Sequence, residues 1–91
     1  MAVRKPRYSK EEAARRGTEI YERRVRQQVE GYAHGKVVAI DIETGAFEVA
    51  EDTLAASDRL LGRYPDAEIW FVRVGYPGLH RFGHRPAASR T

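Results

Sequence analysis

The chain has 91 residues and no cysteine, which limits it to one small domain without disulfides or thiolate metal sites. No apolar run approaches the roughly 18 residues of a membrane span, and the N-terminus lacks the apolar stretch of a signal peptide, so we expect a cytoplasmic protein. Basic residues concentrate at both ends: residues 1–35 contain nine Lys or Arg and five Glu, residues 36–74 contain four Lys or Arg and eight Asp or Glu, and residues 75–91 contain three Arg and no acid.

The first third of the chain predicts a basic arm followed by a helix. Residues 1–8 contain basic residues and a proline, which is typical of a flexible arm. Ser9 and Glu12 have the spacing of a capping box, so the helix is expected to begin here. Gly17 lowers helix propensity, which leaves a bend or two shorter helices open. Apolar or small residues mostly three and four positions apart form one stripe along this helix: Ala13, Ala14, Gly17, Ile20, Tyr21, Val25, Val29 and Tyr32.

The middle of the chain predicts a β-hairpin. Residues 36–42 are rich in β-branched side chains, and Thr44 and Gly45 supply a turn into a second strand at 46–50. Apolar and polar residues alternate in the second strand, which indicates a half-exposed strand. The first strand is therefore expected to be the more central one.

A second helix and a third strand follow the hairpin. Asp52 is a suitable N-cap for a helix that runs from Thr53 to about Arg63. Residues 68–74 are apolar on both faces, which is typical of a strand in the interior of a sheet.

The order of these elements predicts an α+β fold, in which an N-terminal helix precedes a ββαβ unit and the three-stranded sheet packs against helices in two layers. We assign residues 1–8 to the arm, 9–74 to a single domain and 75–91 to a basic tail rich in Gly, Pro and Arg. The second helix covers one face of the sheet. The other face needs cover from the first helix or from a second subunit, so we expect a homodimer.

Asp41 and Glu43 raise the alternative of a small metal-dependent hydrolase or nuclease. Two carboxylates at the end of a strand could hold a divalent cation, and the segment resembles the first metal-binding motif of an exonuclease superfamily. The further acidic motifs of such enzymes cannot be completed from this chain, and the same residues suit an ordinary hairpin turn. We therefore favour the turn and predict no catalytic residue, metal or cofactor.

The tail interleaves basic and aromatic residues, a combination that can neutralise phosphates and stack on bases. A nucleic-acid-binding protein that uses the arm, the first helix and the tail is therefore the first alternative, ahead of the metal-dependent hydrolase. His80 and His84 are four residues apart, but zinc needs further ligands. No RNA-binding signature accompanies the tail, so we favour a protein contact.

Four segments carry a resemblance to known proteins: residues 35–41, 47–50, 52–55 and 69–74. Together they look like a widespread group of small uncharacterised prokaryotic ββαβ proteins. The longer stretch from Arg16 to Gly83 resembles a family of conserved hypothetical bacterial proteins. The order of hairpin and helix is also similar, more weakly, to HicB-like antitoxin modules, a resemblance that implies a toxin as the partner.

These observations predict a non-enzymatic interaction module, the antitoxin-like or regulatory member of a bacterial two-gene pair. Its acidic middle could bind a basic partner protein, and its tail could hold that partner or a second copy. The predicted partner-binding residues are Glu43, Glu48, Tyr76, His80, Arg81, Phe82 and Arg85.

Overall fold

A computed structural model of the protein describes residues 8–75 and the backbone of residues 83–85. An α-helix, a π-helical segment and a short α-helix follow one another without a break and are called the N-terminal helix. The elements are α1 (Lys10–Ile20), the π segment (Tyr21–Val25), α2 (Arg26–Val29), β1 (Val37–Asp41), β2 (Phe47–Ala50), α3 (Thr53–Arg63), β3 (Ile69–Arg73) and β4 (Gly83–Arg85).

Both predicted helix starts are confirmed by capping hydrogen bonds. The Ser9 hydroxyl accepts a hydrogen bond from the backbone N–H of Glu12 at 3.1 Å. The Asp52 carboxylate accepts one from the N–H of Ala55 at 2.8 Å. Each bond satisfies a donor that the first turn of a helix leaves without an intrahelical partner.

The strands pair antiparallel in the order β2-β1-β3-β4. Val38 of β1 lies opposite Val49 of β2 and Val72 of β3, so β1 is central as predicted. β3 is also interior, because β4 pairs along its other side.

Alternate residues of the strands pack against different helices. The face with Val38 and Val72 packs against the N-terminal helix, and the face with Ala39 and Phe71 packs against α3. The α+β fold, a helix followed by a ββαβ unit, is confirmed. The two-layer arrangement is not, because the helices lie on opposite faces and make three layers. The sequence analysis required either the first helix or a second subunit to cover the second face of the sheet, and the first helix covers it.

Gly17 does not interrupt the N-terminal helix. It is buried directly against the indole of Trp70 on β3, where a Cβ atom would overlap the ring. Alanine or any larger residue would hold the helix away from the sheet, so the glycine permits close packing here. Tyr32, which the sequence placed on the apolar stripe, is 67% exposed.

Two described features lie outside the predicted domain range of 9–74. Tyr8, assigned to the arm, packs on the guanidinium of Arg16 with 4.6 Å from Cζ to the ring centroid. Gly83–Arg85, assigned to the tail, forms β4 and gives the sheet a fourth strand. Within residues 8–75, no helix has the length and apolar character needed to cross a membrane.

Candidate functional site

A surface depression runs along α1 beside the sheet and is called the helix groove. It is an open groove of about 880 Å³ with mostly apolar walls. Its lining residues are Lys10, Glu11, Ala14, Arg15, Thr18, Glu19, Glu22 and Trp70.

Small residues and Trp70 give the helix groove its shape. Because Gly17 rests on Trp70, the helix approaches the sheet closely at this point. Ala14 and Thr18 lie one turn apart on α1 and are only partly exposed. The Thr18 hydroxyl oxygen is buried, and residues 8–75 provide no hydrogen-bond partner for it. The groove therefore has a narrow, weakly polar floor.

The charges around the helix groove are ordered along its length. Lys10 and Arg15 lie towards the start of α1 together with Glu11, Glu19 lies at its end, and Glu22 follows in the π segment. Arg15 pairs with Glu12 at 3.2 Å, and the two later glutamates pair with arginines one turn further on. These ion pairs are exposed and so contribute little stability, which leaves the side chains able to exchange partners.

The outer edge of β2 is closed by arginines of α3. The backbone oxygen of Ala46 accepts a hydrogen bond from β1, so by alternation those of Phe47 and Val49 point outward. Arg59 donates to the Val49 oxygen at 3.2 Å and Arg63 to the Phe47 oxygen at 3.5 Å. Both outward carbonyls are thus occupied, which discourages another strand from pairing there.

Glu48 and Arg63 form an ion pair between β2 and α3. The hydrogen bond with Glu48 is the largest cause that raises the pKa of Arg63 above its ordinary value. This predicted partner-binding glutamate therefore also contacts the chain's own helix.

Asp41 builds the turn between β1 and β2. It is 2% exposed, and its two carboxylate oxygens accept hydrogen bonds from the Glu43 N–H at 3.0 Å and the Thr44 hydroxyl at 2.9 Å. This is the side-chain bonding of an Asx turn. Glu43 is exposed and lines a cleft of about 420 Å³ with Tyr64 and Asp66. In the part of the chain described here, no group of three or more His, Asp or Glu is placed to hold a metal ion.

The structure places only some of the predicted partner-binding residues. Glu43 and Glu48 are described as above, and Arg85 lies in β4, where only its backbone is described. The remaining predicted residues lie outside the described part of the chain: Tyr76, His80, Arg81 and Phe82.

The sequence reasoning missed the helix groove as a site. Its positions 11, 14, 15, 18 and 22 have helical spacing and form a second stripe beside the buried one, but only Ala14 and Thr18 are small and uncharged. That weak second stripe is the signal that could have located the groove.

The chain was also compared with known proteins. No protein-family model matches it, and no significant match was found among curated proteins or solved structures. The resemblance to small prokaryotic ββαβ proteins and to HicB-like modules therefore stays a prediction.

Proposed function

We propose that this protein is a non-enzymatic interaction module of the bacterial cytoplasm whose helix groove receives a helix from another polypeptide chain. The observation that supports this most is that α1 has two packing faces. One face, with Ala13 and Gly17, is buried on the sheet, and a second face forms the groove.

A helix is the element that suits this groove. Ala14 and Thr18 are small and one turn apart, so a neighbouring helix could approach closely over them. Charged side chains along the rim would then contact the partner at the margins of the interface, where charges direct orientation more than they add affinity.

In this proposal the protein is the antitoxin-like or regulatory member of a two-gene pair, and its functional unit is a homodimer. Residues 8–75 contain ten Lys or Arg and thirteen Asp or Glu, while the other 23 residues contain six Lys or Arg and no acid. The described domain is therefore negatively charged, which suits a basic partner at the acidic surface around Glu43.

Site-directed cross-linking tests the helix groove as a binding site. Because the chain has no cysteine, Glu22→Cys places a single thiol on the rim for a thiol-linked photo-crosslinker. Glu30→Cys, on the same helix but outside the groove, is the matched control. We expect the Glu22 position to give one dominant adduct that mass spectrometry maps to a helical segment and that Ala14→Arg removes, with thermal unfolding verifying that this variant folds.

Adducts that are equally abundant from both cysteine positions, or that survive Ala14→Arg in a folded protein, would contradict the proposal. Loss of the bound material on nuclease treatment would support the nucleic-acid alternative, since binding that depends on phosphate contacts requires intact nucleic acid.

A further inference from the structure

We infer that the helix groove is an interface between two copies of this chain, in which the α1 helices pack antiparallel about a two-fold axis near Ala14 and Thr18. This inference rests on the proposed function, because it identifies the chain whose helix occupies the groove.

The net charges of the two halves of the groove are complementary. Lys10, Glu11 and Arg15 give one half a net charge of +1, and Glu19 and Glu22 give the other half a net charge of −2. When a second α1 runs in the opposite direction, its acidic end lies beside the basic end of the first. Arg15 then lies close to Glu19 of the second copy, and the same contact is repeated by symmetry.

The small residues of the groove fit the same axis. Ala14 and Thr18 flank the midpoint between the basic and acidic ends, so the antiparallel arrangement places Ala14 of each copy beside Thr18 of the other. Small side chains at the crossing point permit a short distance between helix axes.

A parallel arrangement of the two helices is disfavoured by the same charges. A two-fold axis along parallel helices places each residue beside its own copy, so Glu19 would meet Glu19 and Arg15 would meet Arg15. Like charges in contact repel, whereas the antiparallel pair also aligns the helix dipoles favourably.

Because the domain is small, association with a second copy would stabilise it. A chain of this length buries a smaller fraction of its surface than larger domains do, so association of two copies adds buried apolar area that one copy cannot supply. Trp70 borders the groove and already belongs to the core cluster of the N-terminal helix, so a second copy in the groove would pack next to that cluster.

Reciprocal charge reversal tests this inference on the full chain. In Arg15→Glu, two glutamates meet at each of the two symmetric contacts, and in Glu19→Arg two arginines meet. We expect each variant to dimerise about tenfold or more weakly than the wild type in sedimentation equilibrium, because two attractive contacts become repulsive. An equimolar mixture restores both contacts, so it should form a heterodimer about as stable as the wild-type dimer.

Arg24→Glu and Glu30→Arg are matched controls, since they make the same charge changes on exposed positions of the same helix outside the groove. Both should dimerise as the wild type does, and all variants should unfold at similar temperatures when monomeric.

The outcomes separate this inference from the proposed function. Recovery of dimer only in the mixture supports it. A monomeric wild type, or a mixture that recovers nothing, overturns it. If the cross-linker on the groove rim then captures a helix of a different protein, the proposed function still stands. If the cross-linker captures no helix of any chain, both this inference and the proposed function are wrong.

Discussion

Replacement of Gly17 by alanine tests the close packing of the N-terminal helix on the sheet. An added Cβ would lie 2.5 Å from the Cβ of Trp70 and closer still to the indole ring. Carbon atoms in favourable contact are about 3.5–4.0 Å apart, so the shortfall is at least about 1 Å. The Cβ of Trp70 is fixed to β3, so rotation of the side chain cannot remove the overlap and the helix must move outward.

Two opposing contributions set the size of the effect. Alanine gains about 1 kcal/mol of helix propensity over glycine. Forcing extra volume into a well-packed core costs about 1–3 kcal/mol and occasionally more, and the overlap with Trp70 places Gly17→Ala at the upper end of this range. We expect a net loss of about 1–2 kcal/mol in the free energy of unfolding, or a fall in Tm of about 4–8 °C for each kcal/mol.

Gly62→Ala is the matched control, because Gly62 lies exposed in α3 with nothing within 4 Å of an added Cβ. Urea and thermal unfolding followed by circular dichroism should show that Gly62→Ala stabilises the protein by up to about 1 kcal/mol, whereas Gly17→Ala destabilises it. Trp70→Ala, which removes the indole ring and keeps only Cβ, should reduce the additional cost of Gly17→Ala in a double-mutant cycle. If Gly17→Ala instead stabilises the protein as much as Gly62→Ala does, the proposed contact is refuted.

Three further predictions use other contacts of the described residues. Asp52→Ala removes the N-cap of α3 and should lower the free energy of unfolding in urea by about 1 kcal/mol. Asp58→Ala, an exposed position on the same helix, should change it by less than about 0.5 kcal/mol. Equal effects of the two variants would contradict the capping role. The double replacement of Arg59 and Arg63 by alanine opens the β2 edge and should produce concentration-dependent association beyond that of the wild type in light scattering. A variant whose association matches that of the wild type at all concentrations would show that the edge needs no such protection. Burial, with a smaller effect of nearby acids, raises the pKa of Tyr21 above 10.0. The stability that the neutral phenol contributes is therefore intact below about pH 10 and is lost as the pH rises towards the folded-state pKa. Tyr21→Phe should flatten the decline of the unfolding free energy above pH 10, and an unchanged decline would refute this assignment.

Local patterns in the sequence were sufficient for most of the fold. Ser9 and Asp52 predicted both helix starts, because a capping side chain bonds within three residues of itself and needs no distant partner. The alternation around Val38 and Val49 likewise predicted strands whose pairing the structure confirms. Helix capping and strand alternation both depend on residues that are close together in the sequence, so they can be recognised without knowledge of the fold.

β4 could not be predicted because its cause is not local. Gly83–Arg85 has three residues, begins with a glycine and shows no apolar alternation. It forms a strand because β3 has an unpaired edge in the sheet, so the position of β3 and not the local propensity determines it. The helix groove was missed for a similar reason, since it exists only where Gly17 brings α1 close to Trp70.

The π segment explains how residues spaced four apart along the N-terminal helix can all face the sheet. The buried residues of the N-terminal helix are four apart: Ala13, Gly17, Tyr21, Val25 and Val29. In an α-helix such a stripe drifts by about 40° at each step, or about 160° over its length, because a full turn takes only about 3.6 residues.

The hydrogen bond from the Arg26 N–H to the Tyr21 oxygen spans five residues, and the wider π turn offsets this drift in the middle of the helix. Ala14 and Thr18 are each one position, or about 100° around the helix, beyond the buried Ala13 and Gly17. The same four-residue spacing therefore keeps them along the margin of the sheet, where they line the helix groove beside Trp70.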